Sequence, residues 1–422
     1  MSELKGACLL GQSGGPTSVI NASAYGIIEA AMKNPQITRV FGAANGIKGI
    51  LEDRLYDLNL EDPQELALLP HTPSCALGSC RYKLKDPEVD ATDYERLLEI
   101  FKKWDIRYFF YIGGNDSMDT CNKISKYMQS SGYECRVIGV PKTIDNDLYG
   151  TDHCPGFASA AKYVITSCME IRRDATVYNY PTVVIVEIMG RHAGWLAGSA
   201  ALGNVLGEGP DLVYLPEADF NMERFLHDLN KVYKEKGSCI VAVSEGIHDE
   251  NGTFIAEYGP GLASLDSFGH KQLGGCAATL VAFVKDKLGI QKIRGIELSL
   301  LQRCASHCAS ERDIEESFSA GQKAVEAAVS GATDQMVCFV REKDENGNYR
   351  CGLKMENLSL AANAEKKVPR EWINSAGNNV EQPFIDYVLP LIQGEPQLHY
   401  EQGLPRFARL KKILAKQKQF SY

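Results

Sequence analysis

Tyr108-Phe109-Phe110-Tyr111-Ile112-Gly113-Gly114-Asn115-Asp116-Ser117 and, further along, Val137-Ile138-Gly139-Val140-Pro141-Lys142-Thr143-Ile144-Asp145-Asn146-Asp147 decide the fold of this chain. Each begins as an unbroken apolar run, the pattern of a strand buried on both faces of a parallel sheet. The amphipathic segment between them reads as the crossover helix of a βαβ unit. Each run ends in glycines, acids and hydroxyls at the carboxyl edge of its strand, where open α/β sheets bind ligands. Glycines there let backbone N–H groups approach phosphate oxygens, and carboxylates hold a metal or take a proton. A site that handles phosphate is expected.

The same alternation of strand and helix runs outward in both directions. Ala7 to Leu10 reads as the first strand, and the turn Gly11 to Pro16 leads into a helix from about Thr17 to Met32. Gly14 and Gly15 either bind an anion at that helix N-terminus or allow tight strand–helix packing. Pro155-Gly156-Phe157 marks a crossover into a second α/β lobe, with strands near Thr182–Glu187, Leu212–Tyr214 and Cys239–Ser244. The expected fold is α/β, two doubly wound lobes with mostly parallel sheets. A terminal extension, Trp372 to Tyr422, is expected to end in a basic helix over Phe407–Lys418 with a solvated charged face.

At 422 residues and 44% hydrophobic content the chain can bury a large core in two or more domains. Its net charge of −9 argues against nucleic acid or an acidic membrane as partner. Cations for an anionic substrate must therefore cluster locally. Candidates are Arg81, Lys83 and Lys85, the pair Arg172-Arg173, and Arg191, Arg294 and Arg303. The thirteen cysteines are scattered, odd in number and contain no Cys-x-x-Cys pair, which reads as reduced thiols. No basic and apolar leader opens the chain, and apolar runs such as Val183–Met189 are too short to span a bilayer. A cytoplasmic protein is expected.

The two turns resemble the hallmarks of the 6-phosphofructokinase family, Gly-Gly-Asp-Gly-Ser and Gly-Thr-Ile-Asp-Asn-Asp. The resemblance extends to Ser13-Gly14-Gly15-Pro16 through Asn21, Leu77-Gly78-Ser79-Cys80-Arg81, Met189-Gly190-Arg191-His192-Ala193-Gly194, Ser244-Glu245-Gly246, and the run from Arg294 to Gln302-Arg303. It implies Mg²⁺-dependent phosphoryl transfer to the 1-hydroxyl of fructose 6-phosphate, a step of glycolysis and gluconeogenesis, in a cleft between the lobes. Residues 1–157 with about 304–352 would bind the donor, and 158–303 with about 353–422 the sugar phosphate.

Residue by residue, the resemblance implies Asp145 as the base, with Asp147 supporting it or helping to hold Mg²⁺. Arg81 and Lys142 would neutralise the phosphoryl group in flight. Gly14, Gly15, Gly114, Asp116 and Ser117 would bind donor phosphates. Thr143, Met189, Gly190, Arg191, Glu245, Arg294 and Arg303 would bind substrate, Arg303 at the 6-phosphate. Asn115 stands where the family has its metal-binding Asp, so the metal falls to Asn115 or Asp116. The counterpart of Arg294 reaches in from a neighbouring subunit, which implies a homo-oligomer, dimer or tetramer.

Departures from the pattern bear on the donor. Asp116 and Lys142 replace glycines of ATP-using members, and a carboxylate where the α-phosphate lies would clash with it and repel it. Ile47 replaces the tyrosine those members place near adenine. All three resemble the pyrophosphate-dependent branch, whose reversible reaction yields fructose 1,6-bisphosphate and phosphate. An ATP-dependent kinase and a non-catalytic sugar-phosphate sensor are the alternatives. Two usual 6-phosphate ligands fall on Thr182 and Leu300, with Tyr180, Lys162 or Arg173 as replacements. His192 and His270 read as structural, as does the group Cys304, His307 and Cys308.

Overall fold

The computed structural model describes residues 4–259, 275–361 and 364–417. The first part of the chain supplies β1 (Gly6–Gln12), β2 (Ile37–Ala43), β3 (Leu55–Asp57), β4 (Ile106–Gly113) and β5 (Arg136–Pro141). A second sheet takes β6 (Thr182–Ile188), β7 (Leu212–Tyr214), β8 (Ser238–Ser244) and β9 (Ile293–Glu297). The chain then returns to the first sheet with β10 (Gln335–Lys343) and β11 (Tyr349–Asn357). The orders are β11-β10-β5-β4-β1-β2-β3 and β7-β8-β6-β9. The second sheet is wholly parallel, and only the edge strands β3 and β11 run antiparallel in the first.

Alternation along β4 builds a core on each face of its sheet. Phe109 and Tyr111 pack with the helices Thr92–Trp104 and Asn115–Ser130. Tyr108, Phe110 and Ile112 pack on the opposite face with Ile20–Lys33 and Glu311–Val329. Each such fully buried large side chain contributes about 1.5–3 kcal/mol. The second sheet repeats the plan, with Val184 and Val186 facing the helix Phe157–Ala175, and Val183 and Ile185 facing Met222–Lys236 and Cys276–Leu288.

Gly26 and Gly321 let the returning helix lie against the first one. A Cβ at either would come within 2.1 Å of a carbonyl oxygen of the other helix, so the contact is backbone on backbone. The first helix starts at Ile20, later than Thr17, because Thr17 Oγ1 accepts the N–H groups of Val19 and Ile20 in the preceding turn. Among the described residues no helix is long and apolar enough to cross a membrane, and all thirteen cysteines are unpaired.

Two expectations for the C-terminal part need correction. The boundary near residue 353 falls inside β11, which stays in the first sheet to Asn357. Val368, Phe384, Val388 and Leu391 do pack on the second lobe, but residues 406–417 return to the first. The basic helix over Phe407–Lys418 does not form across its described residues. Their backbone is engaged in tertiary pairing instead: Arg409 N–H donates to Glu65, Lys411 and Lys412 N–H to Glu61, and Ala415 N–H to the Leu55 carbonyl. Lateral pairing of this kind overrides helix propensity.

His153 ties the pieces together from within. Its Nδ1 lies 2.9 Å from Asp152 Oδ2 and its Nε2 2.8 Å from Glu316 Oε2, with only 1% of the side chain exposed. Burial alone would lower its pKa, but the two carboxylates outweigh burial and raise it. Asp152 goes the other way: burial would raise it, and His153 and Arg341 hold it at about 2. A raised His stabilises fully below its unfolded pKa and loses that contribution as pH rises through the folded one; the depressed Asp stabilises above its unfolded pKa and loses its share toward pH 2. Thermal unfolding between about pH 5 and 9 should therefore show the midpoint falling as pH rises past neutrality, and His153→Phe should flatten that slope.

Candidate active site

The turns that leave the carboxyl ends of β1, β4 and β5 meet in one place. Gly113 ends β4 where a Cβ would lie 2.0 Å from Ser117 Oγ, so only glycine lets the helix Asn115–Ser130 begin there. Ser117 is buried in its first turn. Lys142, at the end of β5, is also buried, and its Nζ donates to the Gly15 carbonyl at 2.7 Å. A Cβ on Gly14 would stand 3.3 Å from that Nζ, so the glycine turn closes over the ammonium. Ser79 Oγ donates to the Gly14 carbonyl and Gly14 N–H to the Cys80 carbonyl, which fixes the Arg81 segment to the same turn.

Thr143 follows Lys142, and its Oγ1 accepts the Asp145 N–H at 3.1 Å. The Asp145 carboxyl is raised above the usual range, by burial first and by Glu245 next, against Lys142, Arg191 and Arg303. Asp147 is raised too, by burial and then by Asp145, with Lys366 opposing. Burial works the other way on Lys142 and lowers its pKa. Asn115 Nδ2 donates to Asp147 Oδ2 at 3.0 Å, while Asn115 Oδ1 is buried with no hydrogen-bond partner. Asp116 instead turns outward, half exposed and 3.8 Å from Lys83 Nζ.

The second sheet adds its own carboxyl-edge turns. Gly190 has φ 135°, its N–H donates to Glu245 Oε1 at 3.3 Å, and its carbonyl accepts from Ser244 Oγ. Met189 N–H donates to Gln302 Oε1 at 3.2 Å. Arg191 Nε is buried without a hydrogen-bond partner, and Glu245 is raised chiefly by burial. Gln302 holds the Met189 N–H while the neighbouring Arg303 lies against the Gly15 turn, so the two edges face one cleft.

Arg303, expected at the sugar 6-phosphate, has its Nη1 3.0 Å from where a Gly15 Cβ would be, and Arg81 and Asp145 act on it electrostatically. Arg294 is exposed on β9 opposite Val184, about 16 Å along the strand from Met189. With Tyr178, Tyr180 and Thr182 it lines a separate cavity of 530 Å³. Of the residues expected to replace the missing 6-phosphate ligands, Lys162 binds Gly394 and Glu395, and Arg173 pairs with Glu208. Tyr180 stacks on Tyr178. Ile47 is wholly buried in the first-lobe core and offers no stacking surface. His307 packs against Tyr163, Cys308 donates to Thr166, and His270 lies outside the described residues.

Sequence reasoning missed Asn146, Lys366 and Tyr387. Asn146 sits between the two acids with φ 55°, fully buried. Its Nδ2 donates to Tyr387 Oη at 2.9 Å, and its Oδ1 accepts from Cys154 N–H at 2.9 Å and Lys366 Nζ at 3.4 Å. A buried Asn in a left-handed turn had a signal in its position between two acids; the other two belong to the C-terminal part of the chain that no motif covered.

The model of the family described as Phosphofructokinase matches residues 8–328. Among curated relatives, a pyrophosphate–fructose 6-phosphate 1-phosphotransferase of Halomonas elongata is 45% identical over 405 residues, covering 95% of each chain. One of Xanthomonas campestris pv. campestris is 43% identical over 420 residues, covering 98% of each. The crystal structure of a pyrophosphate-dependent phosphofructokinase from Nitrosospira multiformis superposes with a TM-score of 0.88 at 39% identity, again over 98% of each chain.

Proposed function

The chain belongs to the phosphofructokinase family, and we propose that Asp145 is the base that lets it move a phosphoryl group from pyrophosphate to the 1-hydroxyl of fructose 6-phosphate. The reaction is reversible and gives fructose 1,6-bisphosphate and phosphate. The observation that carries the residue roles is the closure of Lys142 and Arg303 onto the Gly14–Gly15 turn with Asp145 beside them. Phosphoryl transfer needs a base at the hydroxyl, cations around the moving group and an in-line approach, and these residues supply the first two.

In the forward direction Asp145 takes the proton from the sugar 1-hydroxyl, and in reverse it returns it. Burial and Glu245 raise its pKa toward the range where both steps are accessible. Lys142, Arg303 and Arg81 neutralise the phosphoryl group, more strongly for lying in a partly dehydrated cleft. Gly14, Gly15 and Gly114 let donor oxygens approach the backbone closely, and the Ser117 and Thr143 hydroxyls stand at the same edge. Met189, Gly190, Arg191 and Glu245 form the sugar side.

Asn115 Oδ1, a buried acceptor with no partner, and the Asp147 carboxylate beside it are a hard oxygen set that fits Mg²⁺. The outward Asp116 fits it less well. When bound, the ion supplies charge neutralisation and orientation of donor oxygens. Asp116 and Lys142 argue for a donor with no nucleoside, and the buried Ile47 removes the surface on which adenine would stack. The acids and cations kept together argue against a pure sensor. Arg294, remote from the cleft of its own chain, is read as serving a neighbouring subunit's sugar phosphate, which makes the working unit a homo-oligomer.

Asp145→Asn should lower turnover by about 10²–10⁴-fold while fructose 6-phosphate still binds, measured by steady-state assay and calorimetry; near-normal turnover would remove the base assignment. In Asp116→Gly/Lys142→Gly, the ratio of ATP-driven to pyrophosphate-driven turnover should rise, and an unchanged ratio would place the exclusion of ATP elsewhere. Arg294→Ala should raise the KM for fructose 6-phosphate by about tenfold with kcat little changed. Mixing Arg294→Ala with Asp145→Asn subunits should restore low-substrate activity through hybrid sites, and no restoration after subunit exchange would return Arg294 to its own chain.

A further inference from the structure

We infer that the C-terminal part of the chain, from Glu365 onward, positions the catalytic loop, with Tyr387 and Lys366 acting through Asn146 to hold Asp145 and Asp147 in register. This rests on the proposed role of Asp145. The loop's middle residue is left-handed, a conformation that side chains other than glycine rarely hold and that Asn tolerates best. Its side chain turns away from the cleft while both neighbouring acids belong to it. What keeps it there is a set of hydrogen bonds to residues far along the chain.

Tyr387 Oη accepts from Asn146 Nδ2 at 2.9 Å and donates to the Asp152 carbonyl at 2.5 Å. Lys366 Nζ donates to Asn146 Oδ1 and to the carbonyls of Thr151 and Asp152, and its backbone N–H donates to the Asp147 carbonyl at 2.8 Å. Asn146 is thus gripped at its side chain, and Asp147 at its main chain, by the same C-terminal part of the chain.

That C-terminal part is itself fixed to both lobes. Trp195 of the second lobe donates Nε1–H to the Lys366 carbonyl at 2.9 Å and packs its ring 5.1 Å from Tyr387. Arg341 of β10, in the first lobe, donates to the Tyr387 carbonyl at 3.0 Å with its guanidinium 4.7 Å from the Tyr387 ring. Tyr387 and Lys366 touch no reacting atom, so they are positioning residues. Displacing a reacting group by about 1 Å can cost about 100-fold in rate.

Tyr387→Phe keeps the ring and its packing and deletes only the hydroxyl. Asn146→Gly keeps the left-handed backbone without strain and deletes the side chain. Each should lower kcat about 10 to 100-fold with KM for both substrates within about twofold of the parent. The double variant should be no slower than the slower single, because both break one linkage. Thermal midpoints and fructose 6-phosphate affinity report the folded fraction. Parental kcat per folded molecule in Tyr387→Phe, or losses that multiply in the double variant, would overturn the inference. Asp145→Asn in the same assays separates the two readings: if it stays active the base assignment fails, and if it is dead while Tyr387→Phe is unimpaired only the positioning role fails.

Discussion

Lys142 places a positive charge inside the protein, at the end of β5 and beneath the Gly14–Gly15 turn, and much of the first lobe's edge is arranged around that charge. Burying an ammonium is costly unless opposite charge stands close. Asp145 and Asp147 provide it from the turn that follows, and the Gly15 carbonyl provides a dipole from the turn after β1. The demands are mutual, since the same two acids are dehydrated and repel each other. A larger side chain at Gly14 would crowd the ammonium, and glycine at Lys142 would leave two acids with less to hold their charge.

The chain carries net charge −9, yet at this cleft Lys142, Arg303, Arg81 and Arg191 converge. On the proposed reading the substitution of an amide for an acid at Asn115 belongs to the same balance. Pyrophosphate brings all of its charge on two phosphates, and each carboxylate removed from their surroundings lessens repulsion that is strong at low dielectric. A neutral oxygen at Asn115 still serves a hard cation, while Asp147 keeps the formal charge. Asp116 can then point outward to Lys83 without depriving the site of an acid.

The fold was legible because it is carried by local pattern. β4 and β5 are apolar throughout, and their terminal glycines and acids announce a carboxyl-edge site, which is where Asp145, Lys142 and Ser117 are found. Arg303 was less legible, since a side chain's reach depends on the path of the short helix Leu301–Cys304 and not on its neighbours in sequence. The C-terminal part was the least legible. Residues 406–417 look helical by composition, but Glu61 and Glu65 capture their backbone N–H groups across more than half the chain. Lys366 and Tyr387 likewise matter through one buried partner, Asn146, that no local pattern connects to them.

Gln302 and Arg303 show how two lobes can fix one distance. Gln302 Oε1 holds the Met189 N–H of the second lobe, and the adjacent Arg303 reaches the Gly15 turn of the first. Both stand on one short helix between β9 and β10, where the chain crosses back from the second sheet to the first. An in-line transfer requires the attacking oxygen and the phosphorus to approach within about 3–3.5 Å. Packing between whole lobes is a loose way to set such a separation. Two neighbouring side chains, one tied to each turn, set the spacing of the two turns through a single short helix, and on the proposed roles the gap between donor and acceptor is then governed locally although the residues that line it come from opposite sheets.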